Sequence, residues 1–312
     1  MKQCADSILM IKPVCFRYNE QTATNNYYQH VLENVSREQV QGRALCEFDD
    51  FVTVLKNAGV HVVIFEDTEM PSTPDSIFPN NWVSFHADGR VGLYPMFAKN
   101  RRSERREDIL HSLRTTHGFA VKEIVDYTGL ENKDVYLEGT GSMVLDRINN
   151  ICYAAISQRT HNVALEQFCK DFGYQSVAFS AYQTVDGRRL PVYHTNVMMS
   201  VGDSFAIVCL DSIDDNEERA RVVESLQTTG KEIIEITEAQ MNRFAGNMLQ
   251  VIGNETCVVM STSAYESLDD IQISAIQKHG AILHSSLDTI EACGGGSARC
   301  MMAEVFLPEH SQ

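Results

Sequence analysis

The 312-residue chain is 44% hydrophobic and carries a formal net charge of −16. That hydrophobic share suffices for a large core in one or two domains, and the negative charge argues against nucleic acid or an acidic membrane as a partner. No apolar run is long enough for a membrane span, the first thirteen residues lack the apolar core of a signal peptide, and nine cysteines without a CxxC pair fit reduced thiols in a cytoplasmic protein.

Residues 7–14 read as a first strand, residues 27–34 as a helix, and residues 44–57 as a stronger helix capped by Gly59. Residues 61–65 form a strand, and residues 70–81, with three prolines, a loop. From Trp82 a pattern sets in. Residues 83–86 and 91–94 flank the turn Ala87-Asp88-Gly89 as a hairpin, followed by a helix over 102–116 and a strand over 120–125. The same order recurs with a hairpin at 143–145 and 151–154, a helix at 161–172 and a strand at 176–179. It recurs again at 197–200 and 205–210, with a helix at 215–228 and a strand at 233–236. The last repeat has its hairpin at 248–252 and 257–260, its helix at 267–278 and its strand at 281–284. Four such units, 50 to 60 residues apart, suggest a closed or stacked repeat. A fifth unit can be assembled from both ends, with residues 300–307 and 8–12 as its hairpin, the helix at 44 and the strand at 61. A ring closed in this way has no free sheet edges. With no linker in the sequence, the expectation is a single catalytic domain over residues 1–312, α/β in class. An ordinary α/β domain with units of similar size by chance is the plainer alternative.

The starts of the hairpins carry polar residues: Asn80-Asn81 in the first, Glu138 in the second, His194-Thr195-Asn196 in the third, Asn247 in the fourth and Cys300 in the fifth. In a closed ring these positions converge near the axis. Cys300 follows Gly294-Gly295-Gly296, read as a loose loop, and opens the apolar run 300–307, read as a strand. A lone buried cysteine is usually just a small hydrophobe, and a lone strand histidine a core residue with its bonds satisfied. Together, Cys, His and Glu have the composition of a thiol-nucleophile site. The thiol needs a base or a nearby positive charge, so an active thiolate should alkylate faster than the other cysteines. His194 can move protons near neutral pH, and Glu138 can accept hydrogen bonds from a nitrogen-rich substrate. The string Gly139-Thr140-Gly141 lacks the lysine of a phosphate loop.

These residues lie in motifs that resemble the guanidino-modifying superfamily, which includes arginine deiminase, dimethylarginine dimethylaminohydrolase and glycine amidinotransferase. The similarity is greatest to its citrulline-utilisation hydrolase (amidinotransferase-like) branch. It is carried by Phe78-Pro79-Asn80-Asn81-Trp82, Leu137-Glu138-Gly139-Thr140-Gly141, Ser157-Gln158-Arg159-Thr160, Tyr193-His194-Thr195-Asn196 and the stretch from Gly294 to Met301, in the family's order. The resemblance implies a five-bladed β/α propeller (pentein) with pseudo-fivefold symmetry and no cofactor or metal. It implies Cys300 as nucleophile, His194 as general acid/base, Glu138 as the carboxylate that grips substrate nitrogens, and Arg159 on the α-carboxylate. It also implies Asp75 and Arg101 as amino-acid-binding positions, although Lys99 to Arg106 reads equally as a solvated helix start. The partner implied is a small-molecule amino acid; a homo-oligomer is left open.

Asn81 and Asn196 stand where arginine deiminases have aspartates. A guanidinium offers only donors and needs carboxylates, whereas the neutral ureido group carries an acceptor oxygen that an amide can serve. The expectation is therefore hydrolysis of citrulline to ornithine, ammonia and carbon dioxide. An arginine dihydrolase or deiminase is the alternative within the class, and a non-catalytic amino-acid-binding protein the alternative outside it.

Overall fold

The apolar run Ser7–Lys12 is paired on both of its edges: parallel to His61–Glu66, with Ile8 beside Val62, and antiparallel to Ala303–Glu304, with Ile8 opposite Glu304. A strand satisfied on both edges can be apolar on both faces. The two ends of the chain thus build one three-stranded sheet. The structure, a computed structural model, describes residues 2–309; Met1 and residues 310–312, the ends of the expected domain, lie outside the described residues.

Four more three-stranded sheets share this topology, with a middle strand antiparallel to the first and parallel to the third. They comprise Val83–Phe85, Arg90–Leu93 and Glu123–Asp126; Val144–Asp146, Ile151–Ala155 and Gln175–Phe179; Met199–Val201, Phe205–Val208 and Glu232–Glu235; and Leu249–Ile252, Thr256–Ser261 and Ala281–Ser285. Parallel pairing requires a crossover. The helices Arg37–Asn57, Glu107–Thr115, Asn162–Phe172, Asn216–Thr228 and Asp270–Gln277 lie in the crossovers, giving a mixed α/β fold. Arg37–Asn57 begins where Ser36 and Gln39 close a capping box, and it buries Ala44, Phe48, Phe51, Val52 and Leu55. It packs on the strand Ala281–Ser285 and the helix Asp288–Gly294. Truncating Phe48, fully buried there, to alanine would cost about 3–5 kcal/mol.

Several elements differ from expectation. Residues 27–34 are not helical; Gln29 Nε2 donates to Cys293 O, and the His30 N–H donates to Ala292 O. The helix over 102–116 divides into a 3-10 segment, Lys99–Glu104, and Glu107–Thr115. The helix expected over 267–278 is Asp270–Gln277, started by the Asp269 cap, and a separate short helix, Thr262–Ser267, precedes it. A hairpin, Tyr182–Val185 with Arg188–Pro191, turning at Asp186-Gly187, was not anticipated. The glycine run is no loose loop: Gly294 ends the helix Asp288–Gly294, and Gly295 caps it at φ +62°. A Cβ on Gly295 would lie 2.5 Å from Asn26 Nδ2, so the position needs glycine for space as well as for φ. Residues 300–307 are not one strand; Cys300 sits on the 3-10 turn Ala298–Met301, and only Ala303–Glu304 pairs.

That last difference is general. Pro79–Asn81, Gly139–Ser142, Thr195–Met198 and Ala298–Met301 are short helical turns just ahead of the first strand of a sheet. They pack together: Gly139–Ser142 lies against Pro79–Asn81 and Thr195–Met198, and Pro79–Asn81 against Ala298–Met301. The polar residues expected at strand starts are carried on or beside these turns.

Candidate active site

The eight expected site residues are all buried: Asp75, Asn81, Arg101, Glu138, Arg159, His194, Asn196 and Cys300 are each 3% exposed or less. Six of them, Asp75, Asn81, Arg101, Arg159, His194 and Cys300, line one narrow cavity. Glu138 and Asn196 stand directly behind that wall, bonded to His194 and Cys300. Long charged side chains are rarely this buried unless they are paired.

Glu138, the N-cap of Gly139–Ser142, is the hub. Its Oε2 lies 2.8 Å from His194 Nε2, 3.5 Å from Arg159 Nη1 and 3.9 Å from Arg101 Nη1, while Oε1 accepts from the Phe97 N–H at 2.9 Å. Burial alone would raise its pKa, but Arg159, His194 and Arg101 outweigh burial and hold it at about 2. Glu138 is therefore ionised. Burial, and to a lesser extent the two arginines, push His194 down to about 4 against the pull of Glu138. A neutral imidazole beside a carboxylate donates through Nε2–H, which leaves Nδ1 as an acceptor. Gly141 makes room for this ring: a Cβ there would lie 2.8 Å from His194 Nδ1 and 2.3 Å from Asn81 Nδ2.

Arg101 donates through Nη1 to Asn81 Oδ1 at 2.9 Å and through Nε and Nη2 to Glu104, with both shorter contacts at 2.9 Å. Burial raises Glu104 to about 8 despite that arginine, and it raises Asp75 as well. Asp75 Oδ2 accepts from Asn19 Nδ2 at 2.7 Å and Thr22 Oγ1 at 3.1 Å, while its Oδ1 has no partner among the described residues. Asn81 Nδ2 has none either.

Cys300 stands at the other wall. Its Sγ accepts from Asn247 Nδ2 at 3.2 Å and Asn196 Nδ2 at 3.5 Å. Burial raises the thiol's pKa against the smaller opposing effects of the Ser297 backbone, Asn247, Arg299 and Asn196. The thiol is thus neutral at rest and needs a base to take its proton before it can attack.

One contributor was missed in the sequence. Residues 19–29 strap across the site: Asn25 Oδ1 accepts from Arg159 Nε and Nη2 at 2.9 and 2.6 Å, Thr22 O accepts from Nη2 at 2.8 Å, and Gln29 Nε2 donates to Cys293 O at 2.9 Å. Arg159, expected on a substrate carboxylate, spends these N–H groups on the strap. The signal available was the amide- and hydroxyl-rich composition of this stretch, of which only residues 27–29 fell in an element read from the sequence, the helix over 27–34. Asn247 was seen only as a hairpin start. Among the described residues no cluster of His, Cys, Asp and Glu has the makings of a metal site, and no helix is long and apolar enough to cross a membrane.

The N-terminal domain of ArgZ, solved covalently bound to a reaction intermediate, superposes with a TM-score of 0.70 at 19% identity over 97% of this chain and 99% of that one. Apo ArgZ, an arginine dihydrolase from the ornithine-ammonia cycle in Cyanobacteria, gives 0.72 at 19% identity over 97% of this chain, which spans 41% of it. A dimethylarginine dimethylaminohydrolase carrying an S-methyl-L-thiocitrulline adduct gives 0.64 at 14% identity over 96% of this chain and 99% of that one. No curated protein matches by sequence. At these identities the likeness shows a shared fold. The family model described as N,N dimethylarginine dimethylhydrolase, eukaryotic, matches residues 12–307, so the chain belongs to that family and with it to the guanidino-modifying superfamily.

Proposed function

We propose that the chain is a single-domain, five-bladed β/α propeller that hydrolyses the ureido C–N bond of citrulline, giving ornithine, ammonia and carbon dioxide. The observation that carries the substrate is Asn81. Its Oδ1 is held by Arg101 Nη1 at 2.9 Å, which fixes the amide so that the partnerless end is the donor, Nδ2. A donor in the cavity wall suits a ureido oxygen and opposes a guanidinium, which presents only N–H. Placing a guanidinium among these buried side chains would add a further cation, and the Glu138 carboxylate is already engaged by His194, Arg159 and the Phe97 N–H. Asp75 Oδ1 suits an α-ammonium.

The proton inventory balances for a neutral substrate. His194 takes the Cys300 proton as sulfur attacks the ureido carbon, and delivers it to the terminal nitrogen, which leaves as ammonia. His194 then deprotonates water, which cleaves the C–S bond of the ornithine-linked thiocarbamate and restores the thiol. The released carbamate decomposes to ornithine and carbon dioxide.

An arginine dihydrolase is the second reading, favoured by the likeness to ArgZ. A panel of citrulline, arginine and dimethylarginine, scored for ammonia, carbon dioxide and ornithine, separates the readings. Arginine converted to citrulline that accumulates unconsumed would make the protein a deiminase. Binding without ammonia release would make it an amino-acid-binding protein.

A further inference from the structure

The geometry points to Asn247 as a fixed hydrogen-bond donor to the sulfur of Cys300 that sets the acidity of its thiol. Asn247 is fully buried, and its amide has no rotational freedom. Oδ1 accepts from the Arg299 N–H at 3.0 Å, so Nδ2 must face the other way. Both hydrogens of Nδ2 are then assigned, one to Asn196 O at 2.8 Å and one to Cys300 Sγ at 3.2 Å. Asn196 is held less firmly. Its amide meets the sulfur through Nδ2 at 3.5 Å or, with S–H donating, through Oδ1 at 3.9 Å, and those are its only side-chain partners among the described residues. Asn196 can follow the protonation state of sulfur; Asn247 can only donate.

The backbone is shaped for this contact. Gly246 brings the chain against the turn Thr195–Met198, where a Cβ would lie 2.3 Å from Val197 O. That approach places Asn247 between the turn that carries Asn196 and the turn that carries Cys300. The other charged and titratable groups around the sulfur are Arg299 on its own turn, Tyr193 and His194 beside Thr195–Met198, and Asp75, Arg101 and Arg159 across the cavity. None of these hydrogen-bonds the sulfur among the described residues; the Ser297 backbone does, and it favours the thiolate in the same sense as Asn247. A donor fixed on sulfur favours the thiolate over the thiol.

The inference rests on Cys300 being the reactive thiol, but its test needs no turnover and so fails or succeeds separately from the proposed reaction. The full-length protein is alkylated with iodoacetamide across a pH series, and the Cys300 peptide is followed by mass spectrometry. Asn247→Asp keeps the shape and the bond from the Arg299 N–H but turns an acceptor toward sulfur; Asn247→Ala removes the amide. Both should raise the alkylation midpoint, lowering the rate at neutral pH about tenfold for Ala and further for Asp. A packing role predicts the opposite order, with isosteric Asp the milder change. An unchanged midpoint in Asp, or a smaller shift in Asp than in Ala, overturns the inference. Where Ala does not fold, the Asp midpoint decides alone.

Discussion

Two buried ionic regions of this molecule are built to opposite rules. Lys231 and Asp146, side chains 1% and 0% exposed, pair at 3.2 Å. Lys231 Nζ also donates to Gly202 O at 3.1 Å and Asp203 O at 2.7 Å, and Asp146 accepts from Asn149 through both N and Nδ2. The three ammonium hydrogens have three acceptors, so the pair is saturated and can bind nothing more. The cavity at Cys300 holds two arginines and buried carboxylates just as deeply, yet Asp75 Oδ1 and Asn81 Nδ2 have no partner among the described residues. A buried polar atom without a partner costs about 1–3 kcal/mol. The first region spends its bonding capacity on the fold, and the second leaves part of it unused, as the proposed ligand site requires.

The contrast is broken most sharply by variants that should affect one function and spare the other. Cys300→Ser should lower ammonia release by about 10³-fold or more while leaving the unfolding midpoint in urea close to that of the wild type; undiminished release removes Cys300 from the chemistry. Asp146→Leu should do the reverse. It strands the Lys231 ammonium, costing about 3–5 kcal/mol of stability, and the folded fraction should keep the wild-type kcat. A matching fall in kcat at full occupancy of the fold would mean that the pair belongs to the site.

Protonation gives the next test. His194 titrates at about 4 in the fold against 6.5 outside it, because burial disfavours its charged form. The unfolded chain therefore binds the proton first as the pH drops, so stability is complete above about 6.5 and is lost as pH falls toward 4. Glu138, held at about 2 against an ordinary 4.5, extends the loss to lower pH with the same sign. The His194 contribution is on the order of 3 kcal/mol, and His194→Gln should flatten that part of the urea-midpoint profile. If wild type and variant run parallel from pH 6.5 to 4, His194 is not held neutral. The smallest change expected is in selectivity. Asn81→Asp keeps an acceptor for Arg101 and turns the partnerless end from donor to acceptor, so kcat/KM for citrulline should fall about 5- to 150-fold. An unaffected kcat/KM would mean that Asn81 does not contact the ureido group.

How much of this was legible in the sequence depended on the kind of signal. The repeats were visible because apolar runs such as Ser7–Lys12 and Thr256–Ser261 must be buried wherever they lie, and because Gly89 and Gly253 mark their turns. The assembly of one sheet from both chain ends followed from the repeat count. Cys300, His194 and Glu138 were legible as a set because each precedes a strand at the same point of its repeat. What periodicity could not give was the short turn that carries Cys300, since four residues of 3-10 helix leave no pattern of their own. Nor could it give the strap at residues 19–29, whose backbone direction is fixed by distant partners such as Arg159 and Cys293. Asn247 was visible by position, but its donation to sulfur depends on Arg299 holding its other end.

The central claim is that Cys300 attacks the ureido carbon of citrulline. Its most direct test is acid quenching of the protein during turnover of citrulline labelled with ¹³C at that carbon, followed by peptide mass spectrometry. The account predicts an adduct on Cys300 with the mass of citrulline less ammonia, retaining the label, and absent from Cys300→Ser. Turnover of citrulline with no adduct on Cys300, or with the label on another residue, would contradict it.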